Sequence, residues 1–136
     1  MIGNIDIRAI VLATLAVLGI DFITGIVLFS VFATAEIANA SDEQVRAAAA
    51  ALARDPGYLR AALALGTAST VVGGFLVARI ARSIPYFNAL AYGAVGIVLS
   101  TFTPAELPTW FKVVGIAITI PASLLGAYLG RRSLTK

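Results

Sequence analysis

Apolar residues dominate four long stretches of the chain, and shorter polar segments separate them. A transmembrane α-helix needs about 20 consecutive, predominantly apolar residues. The pattern therefore predicts an all-α membrane protein, with residues 1–136 forming a single domain of four transmembrane helices. The predicted spans cover about residues 8–33, 61–81, 87–103 and 110–130.

The polar segments between the second, third and fourth spans are short. Residues 82–86 and 104–108 each contain proline, which favours tight hairpins between helices. Only the first connection is long, and within it Ser41 and Gln44 have the spacing of a capping box. An alanine-rich run follows, so the sequence predicts a short extracytoplasmic helix at about residues 41–54, lying at the membrane surface. A solvated spacer is the alternative.

The composition agrees with a bilayer as the surrounding solvent. Hydrophobic residues make up 60% of the chain and charged residues 12%, whereas a typical soluble domain has about 25% charged residues. The chain has no cysteine and no histidine, which excludes disulfide bonds, thiolate chemistry and Cys/His zinc sites. The formal net charge of +3 reflects basic residues near the span ends, where they set membrane topology, and does not indicate a nucleic-acid surface.

Charged residues divide unequally between the two sides that these spans define. One side holds six basic residues and a single acid, Asp6, while the other holds four basic residues and five acids. The positive-inside rule therefore predicts that both termini are cytoplasmic. Four short-looped spans are typical of small bacterial membrane proteins, so we expect the protein in the cytoplasmic, or inner, membrane of a bacterium. The arginines expected to anchor this topology are Arg79, Arg82, Arg131 and Arg132.

Two pairs of segments resemble each other. GIVLFSVFATAEI from Gly25 is similar to GIVLSTFTPAEL from Gly96, and Gly73-Gly74-Phe75-Leu76 aligns with Gly126-Ala127-Tyr128-Leu129. The similarity predicts two tandem helical hairpins related as a parallel internal repeat. Chance similarity between apolar strings is the alternative. Asp21 aligns with Tyr92, so the acid is not part of the repeated pattern.

Small residues recur at helical spacing in every span. There is no hydrophobic drive between helices in lipid, so close backbone approach at small residues supplies the association. We therefore expect these residues to pack the helices together; a substrate path lined by Ser and Thr is the alternative. The glycines predicted to lie at helix contacts are Gly25, Gly66, Gly73, Gly74, Gly93, Gly96, Gly115, Gly126 and Gly130.

Asp21 is the one acid in the predicted spans that lies far from both ends of its span. A carboxylate at mid-bilayer depth is costly, which makes Asp21 the candidate functional residue. Counting from the span ends places it near the depth of Thr70, Gly96 and Thr119. We expect a protonated carboxyl that forms hydrogen bonds to Ser, Thr or backbone groups inside the bundle.

No catalytic pattern accompanies this acid. The sequence has no hydrolytic triad, phosphate-binding loop or dinucleotide fingerprint, and no second acid in the spans to hold a metal with Asp21. We therefore predict no enzymatic activity, no catalytic residues, no cofactor and no metal site.

Two functions fit these features. The first is a structural or accessory subunit that packs into a larger membrane complex or a homo-oligomer. Its partners would be the lipid bilayer and other membrane subunits or copies of itself, with no nucleic acid. The alternative is a small proton- or cation-coupled transporter or channel that uses Asp21. Short loops favour the subunit, and the intramembrane acid favours the transporter.

Overall fold

The computed structural model of the chain describes residues 5–33, 39–81, 83–102 and 107–133. These residues form five α-helices, which are α1 (Ile7–Phe32), α2 (Asp42–Leu52), α3 (Pro56–Ile80), α4 (Pro85–Ser100) and α5 (Thr109–Arg132). Within the described ranges, the three helices α1, α3 and α5 are long and apolar enough to cross a membrane, and α4 is a shorter apolar helix. The prediction of a helical membrane protein is confirmed, whereas the number of crossings stays a prediction.

Carboxylate caps fix the residues at which α1 and α3 begin. The Asp6 side chain accepts a hydrogen bond from the backbone N–H of Ala9 at 3.1 Å. The Asp55 side chain accepts one from the N–H of Tyr58 at 2.6 Å, and Pro56 occupies the first helical position. Each cap satisfies a backbone donor that has no partner inside the helix. Because its cap lies in the polar segment, α3 begins before the apolar stretch does.

The capping box predicted for the long connection is present at the start of α2. The N–H of Gln44 donates to the Ser41 hydroxyl at 3.3 Å, and the N–H of Ser41 donates to the Gln44 side-chain oxygen at 2.9 Å. The helix ends at Leu52, slightly before the predicted end at residue 54, and Leu52 is its one buried residue. Apart from Val45, the other residues of α2 are polar or alanine, so the helix adds little to the apolar core.

The centre of the bundle is formed by α3 and α5, which make the most extensive contact of any two described helices. They run in the same direction and approach each other at glycine. Gly74 lies against the carbonyl oxygen of Ser123, and Gly126 lies against the carbonyl oxygen of Val71. Gly130 approaches the α3 backbone in the same way. A side chain at any of these glycines would collide with main-chain atoms, so the close approach depends on them.

α4 packs across both central helices. A Cβ at Gly93 would lie 2.8 Å from the hydroxyl oxygen of Ser123 on α5, and the Tyr92 ring lies against Gly73 on α3. The helix has 16 residues, so it extends for about 24 Å, less than the hydrocarbon thickness of about 30 Å. The bundle is therefore filled by α4 over only part of its height.

α1 lies at the periphery and packs mainly against α3. Its buried residues, Ala9, Ile10, Ala13 and Val17, all belong to its first half. Three of them, Ile10, Ala13 and Val17, join Val77 and Tyr92 in one apolar cluster. Beyond Val17 no residue of α1 is buried, so the second half of this helix is only loosely covered by the rest of the described chain.

Not every glycine predicted at a helix contact lies at one. Gly25, Gly66 and Gly115 have no neighbouring atom within 4 Å of the position that a Cβ would take. Gly96 makes an ordinary contact, at 3.5 Å from the Thr119 methyl carbon. These three glycines therefore make no close helix contact within the described chain. Gly66 and Gly115 line a cavity between α1, α3 and α5, and Gly25 lines a groove between α1 and α2.

Gly74 and Gly126 have equivalent positions in the contact between α3 and α5, because each lies against a backbone carbonyl of the other helix. The sequence alignment instead pairs Gly73 with Gly126. Packing and alignment therefore differ by one residue, and the internal repeat stays a prediction.

The start of α1, the end of α3, the start of α4 and the end of α5 lie together at one end of the bundle. The Arg79 guanidinium donates to the Ser133 hydroxyl at 2.9 Å, and the Arg131 guanidinium lies 5.7 Å from the centre of the Tyr86 ring. We call this the arginine end, defined by Arg79, Arg131 and Arg132, and the opposite end the α2 end. Arg82 lies outside the described residues.

Candidate functional site

Asp21 continues the stripe of α1 that packs against the bundle. Ala9, Ala13, Val17 and Asp21 follow one another at intervals of four residues, which places them on one face of the helix. The first three are buried, whereas Asp21 is exposed. Asp21 therefore lies on the face of α1 that packs against the bundle, but at a height where α1 and the other helices are no longer in close contact.

Two adjoining cavities, with volumes of about 230 and 260 Å³, meet at Asp21. Both are lined by Asp21, Thr70, Ser100 and Thr119, and so by residues of all four apolar helices. The depths counted from the sequence are confirmed here, since Asp21, Thr70, Gly96 and Thr119 all line the larger cavity. Opposite the acid, Gly66 and Gly115 contribute no side chain, which leaves this space between the helices.

The structure does not show the expected hydrogen bonds between the Asp21 carboxyl group and polar groups inside the bundle. Among the described residues, no hydrogen bond is formed by the Asp21 carboxylate. Its backbone carbonyl accepts from the Thr24 hydroxyl at 3.2 Å, but that bond stays within α1. The physical reason is the loose packing of α1 beyond Val17, which keeps the side chain at the edge of a cavity.

The hydroxyl groups of this cavity use their hydrogens within their own helices. Thr70 donates to the carbonyl of Gly66 at 2.8 Å, and Thr119 donates to the carbonyl of Gly115 at 2.8 Å. Ser100 donates to a carbonyl three residues earlier at 2.6 Å. This bonding to the preceding turn is usual for Ser and Thr in helices. The hydroxyl oxygens thus serve mainly as acceptors toward the cavity.

Two further residues of the site, Thr14 and Tyr92, were not predicted from the sequence to belong to it. Thr14 lines the larger cavity, and its hydroxyl oxygen is buried and has no hydrogen-bond partner among the described residues. Tyr92 is buried and lines the same cavity. In the sequence, Tyr92 is related to Asp21 only by their alignment in the predicted repeat, and this alignment does not indicate that the two residues are close in space.

A basic side chain, that of Lys112, lies close to this site at the α2 end. It lines a separate cavity of about 210 Å³, which shares Ser100, Phe111 and Gly115 with the cavities at Asp21. The topology arginines Arg79, Arg131 and Arg132 lie at the arginine end, away from this site. Asp21 therefore stands as a single carboxylate among hydroxyl groups. No group of three or more His, Cys, Asp or Glu side chains that could hold a metal ion occurs in the part of the chain that the structure describes.

The chain matches no protein-family model, and no curated protein or solved structure is significantly similar to it. A functional assignment therefore rests on the geometry at Asp21.

Proposed function

We propose that this protein is a structural or accessory subunit that packs into a larger membrane complex or into a homo-oligomer. The observation that carries the proposal is the exposure of Asp21 within the 26-residue apolar helix α1. A carboxyl group exposed to hydrocarbon is costly, and burial against another protein chain with hydrogen-bonding groups reduces this cost. A partner at this face of α1 would supply that burial.

The surface beside Asp21 is suited to another helix. Gly25 lies one turn further along the same face and has no neighbour within 4 Å of a Cβ position. Asp21, Gly25, Phe29 and Val45 line a groove of about 470 Å³ between α1 and α2. Small residues permit the close backbone approach through which membrane helices associate. This groove is therefore the surface that we assign to a partner subunit or a second copy.

The proposal places the protein in the cytoplasmic membrane with the arginine end in the cytoplasm. It is supported by the excess of basic residues at that end and the acids near α2, according to the positive-inside rule. We propose no enzymatic activity, which is consistent with a chain that lacks cysteine and histidine.

A second candidate function is favoured by the hydroxyl-lined cavities. A small proton- or cation-coupled transporter or channel would use Asp21 as its charged site, with Thr70 and Thr119 beside it. Intramembrane acids commonly mark ion or proton pathways. The two candidates differ in what this face of the protein does, which is to contact another chain in the first case and to pass a proton or cation in the second.

Site-specific photocrosslinking in native membranes tests the subunit proposal. A photoreactive amino acid at Phe22, which is 71% exposed beside the groove, should give a discrete protein adduct. The matched control is Val113 on α5, which is 59% exposed and does not line the groove. Lipid adducts alone at Phe22, together with a monomer in mild detergent, would contradict the proposal. Proton- or cation-dependent flux in liposomes would then support the transporter.

A further inference from the structure

The cavities at Asp21 present oxygen lone pairs to their interior. The hydroxyl hydrogens of Thr70 and Thr119 are already bonded to carbonyls of their own helices. A hydroxyl has one hydrogen to donate and two lone pairs to accept, so these oxygens remain able to coordinate a cation. With the Asp21 carboxylate, the lining attracts positive charge and offers little to an anion.

Thr14 gives an independent indication of a ligand. Its hydroxyl oxygen is buried and has no hydrogen-bond partner among the described residues. Buried polar atoms nearly always have a partner, and those without one indicate an ion or water that satisfies them. Thr14 is also one of the residues that line the larger of the two cavities, together with Asp21.

We propose that this cavity binds one alkali-metal cation. The Asp21 carboxylate supplies the counter-charge, and the hydroxyl oxygens of Thr70 and Thr119 supply further ligands. Thr14 lies on α1 about 10 Å from Asp21, too far to bind the same ion, and its hydroxyl bonds to a water that hydrates the cation. Hard cations prefer carboxylate, carbonyl, hydroxyl and water oxygens, and these are the polar groups that the lining offers.

The charge of the site selects a monovalent ion. Asp21 is the only acid among the described residues that line the two cavities, so a single positive charge neutralises it. A divalent ion would leave a net charge at mid-bilayer depth, which is costly. The cavities, at about 230 and 260 Å³, have room for the cation with several waters, each of which takes about 30 Å³ in the liquid.

This site goes beyond the role as a subunit and does not depend on it. Binding of a cation neither requires nor excludes a partner at α1, and it does not by itself imply transport. The photocrosslinking result and the cation-binding result can therefore fail independently.

The test measures thermal unfolding of the purified full-length protein in phosphatidylcholine nanodiscs. Chlorides of lithium, sodium and potassium are titrated at constant ionic strength, with choline chloride as the balancing salt. We expect a saturable rise in Tm with at least one alkali-metal ion, because a ligand that binds the folded state stabilises it. Asp21→Asn should abolish the rise. Thr70→Val and Thr119→Val should each weaken the apparent affinity by about tenfold, which corresponds to one lost contact to a charged group.

Thr24→Val is the matched control. Thr24 is on the same helix and donates its hydroxyl hydrogen to Ile20 at 2.9 Å, but it lines neither cavity. Its Tm response should equal that of the parent. Equal Tm values in all four salts would overturn the proposal, as would an undiminished response in Asp21→Asn. Should Asp21→Asn fail to fold, the two threonine variants decide, because a response unchanged in both contradicts the site.

Discussion

The backbone N–H of Asp6 donates a hydrogen bond to the side-chain oxygen of Asn88 at 2.7 Å. The same amide group donates from its nitrogen to the carbonyls of Ser83 and Ile84, at 2.9 and 3.2 Å. Asn88 is fully buried. One side chain thus fastens the start of α1 to the connection between α3 and α4, at the arginine end.

Replacement of Asn88 by Ala should loosen this end of the bundle. The variant leaves the Asp6 donor and the Ser83 acceptor without their partner, and an unsatisfied buried polar group costs about 1–3 kcal/mol. We expect a lower unfolding free energy in detergent and faster hydrogen exchange at the start of α1. Asn39→Ala is the control, since Asn39 is exposed. Unchanged exchange at the start of α1 in Asn88→Ala would contradict this role.

Ile84 precedes the first residue of α4 and has a left-handed backbone, with φ of 40°. This conformation is unfavourable by about 1–2 kcal/mol for most residues with a Cβ, and least so for Asn, Asp and Gly. Ile84→Asn should therefore stabilise the fold by up to about 1 kcal/mol, measured by equilibrium unfolding in detergent. Ile84→Val keeps the branched Cβ and should give no gain. A loss of stability in Ile84→Asn would show that contacts of the Ile84 side chain outweigh the backbone effect.

The sequence predicts the helices well because each rests on local signals. Apolar runs of sufficient length, carboxylate caps and the pair Ser41–Gln44 are visible without tertiary information. The depth of a residue in the membrane also follows from its distance along the helix, so the sequence predicts that Asp21, Thr70 and Thr119 lie at a similar depth. The role of Asn88 is not predictable in this way, because its partner Asp6 lies 82 residues away in the sequence and meets it only after folding.

The glycines divide into two sets that the sequence cannot distinguish. Gly66 and Gly74 are on one helix, and Gly115 and Gly126 on another, all within apolar sequence. A glycine is required only where the backbone of a neighbouring helix leaves no room for a side chain. The carbonyls of α3 and α5 approach Gly74 and Gly126, whereas Gly66 and Gly115 line a cavity.

Alanine substitution should separate these two sets. Gly74→Ala and Gly126→Ala place a methyl group against a main-chain carbonyl, so the central helices have to move apart. Overpacking of this kind costs about 1–3 kcal/mol. Gly66→Ala and Gly115→Ala meet open space and should be neutral or slightly stabilising, because Ala is the better helix former. Equal unfolding free energies for all four variants would mean that α3 and α5 do not approach each other at these glycines.

The orientation of the protein is testable with single cysteines, because the chain has none of its own. The variant Ala48→Cys, on α2, should react with a membrane-impermeant thiol reagent added to intact cells. Ser133→Cys, at the arginine end, should react only after the membrane is opened. The expectation rests on the positive-inside rule. Labelling of Ser133→Cys in intact cells, with Ala48→Cys protected, would reverse the orientation.

The role of Asp21 in assembly is tested by two substitutions of similar size and different polarity. Asp21→Asn keeps a hydrogen-bonding group at the cavity edge, whereas Asp21→Leu removes it. If a partner covers this face, Asn should still satisfy polar groups of the partner, while Leu leaves them unpaired. Interhelical hydrogen bonds in membranes are worth about 1–2 kcal/mol, so the loss should be measurable as weaker association. Ile23→Leu is the control, since Ile23 is 63% exposed on the same helix and lines none of the cavities that meet at Asp21.

We therefore expect Asp21→Asn to fold and assemble like the parent in native gel electrophoresis and crosslinking, and Asp21→Leu to lose the partner. Asp21→Asn cannot release or take up a proton, and it carries no charge to neutralise a cation. Normal assembly of this variant, combined with loss of activity in cells or of flux in liposomes, would contradict a purely structural role. The carboxylate would then serve a transporter or channel, and the hydroxyl-lined cavity would be its ion site.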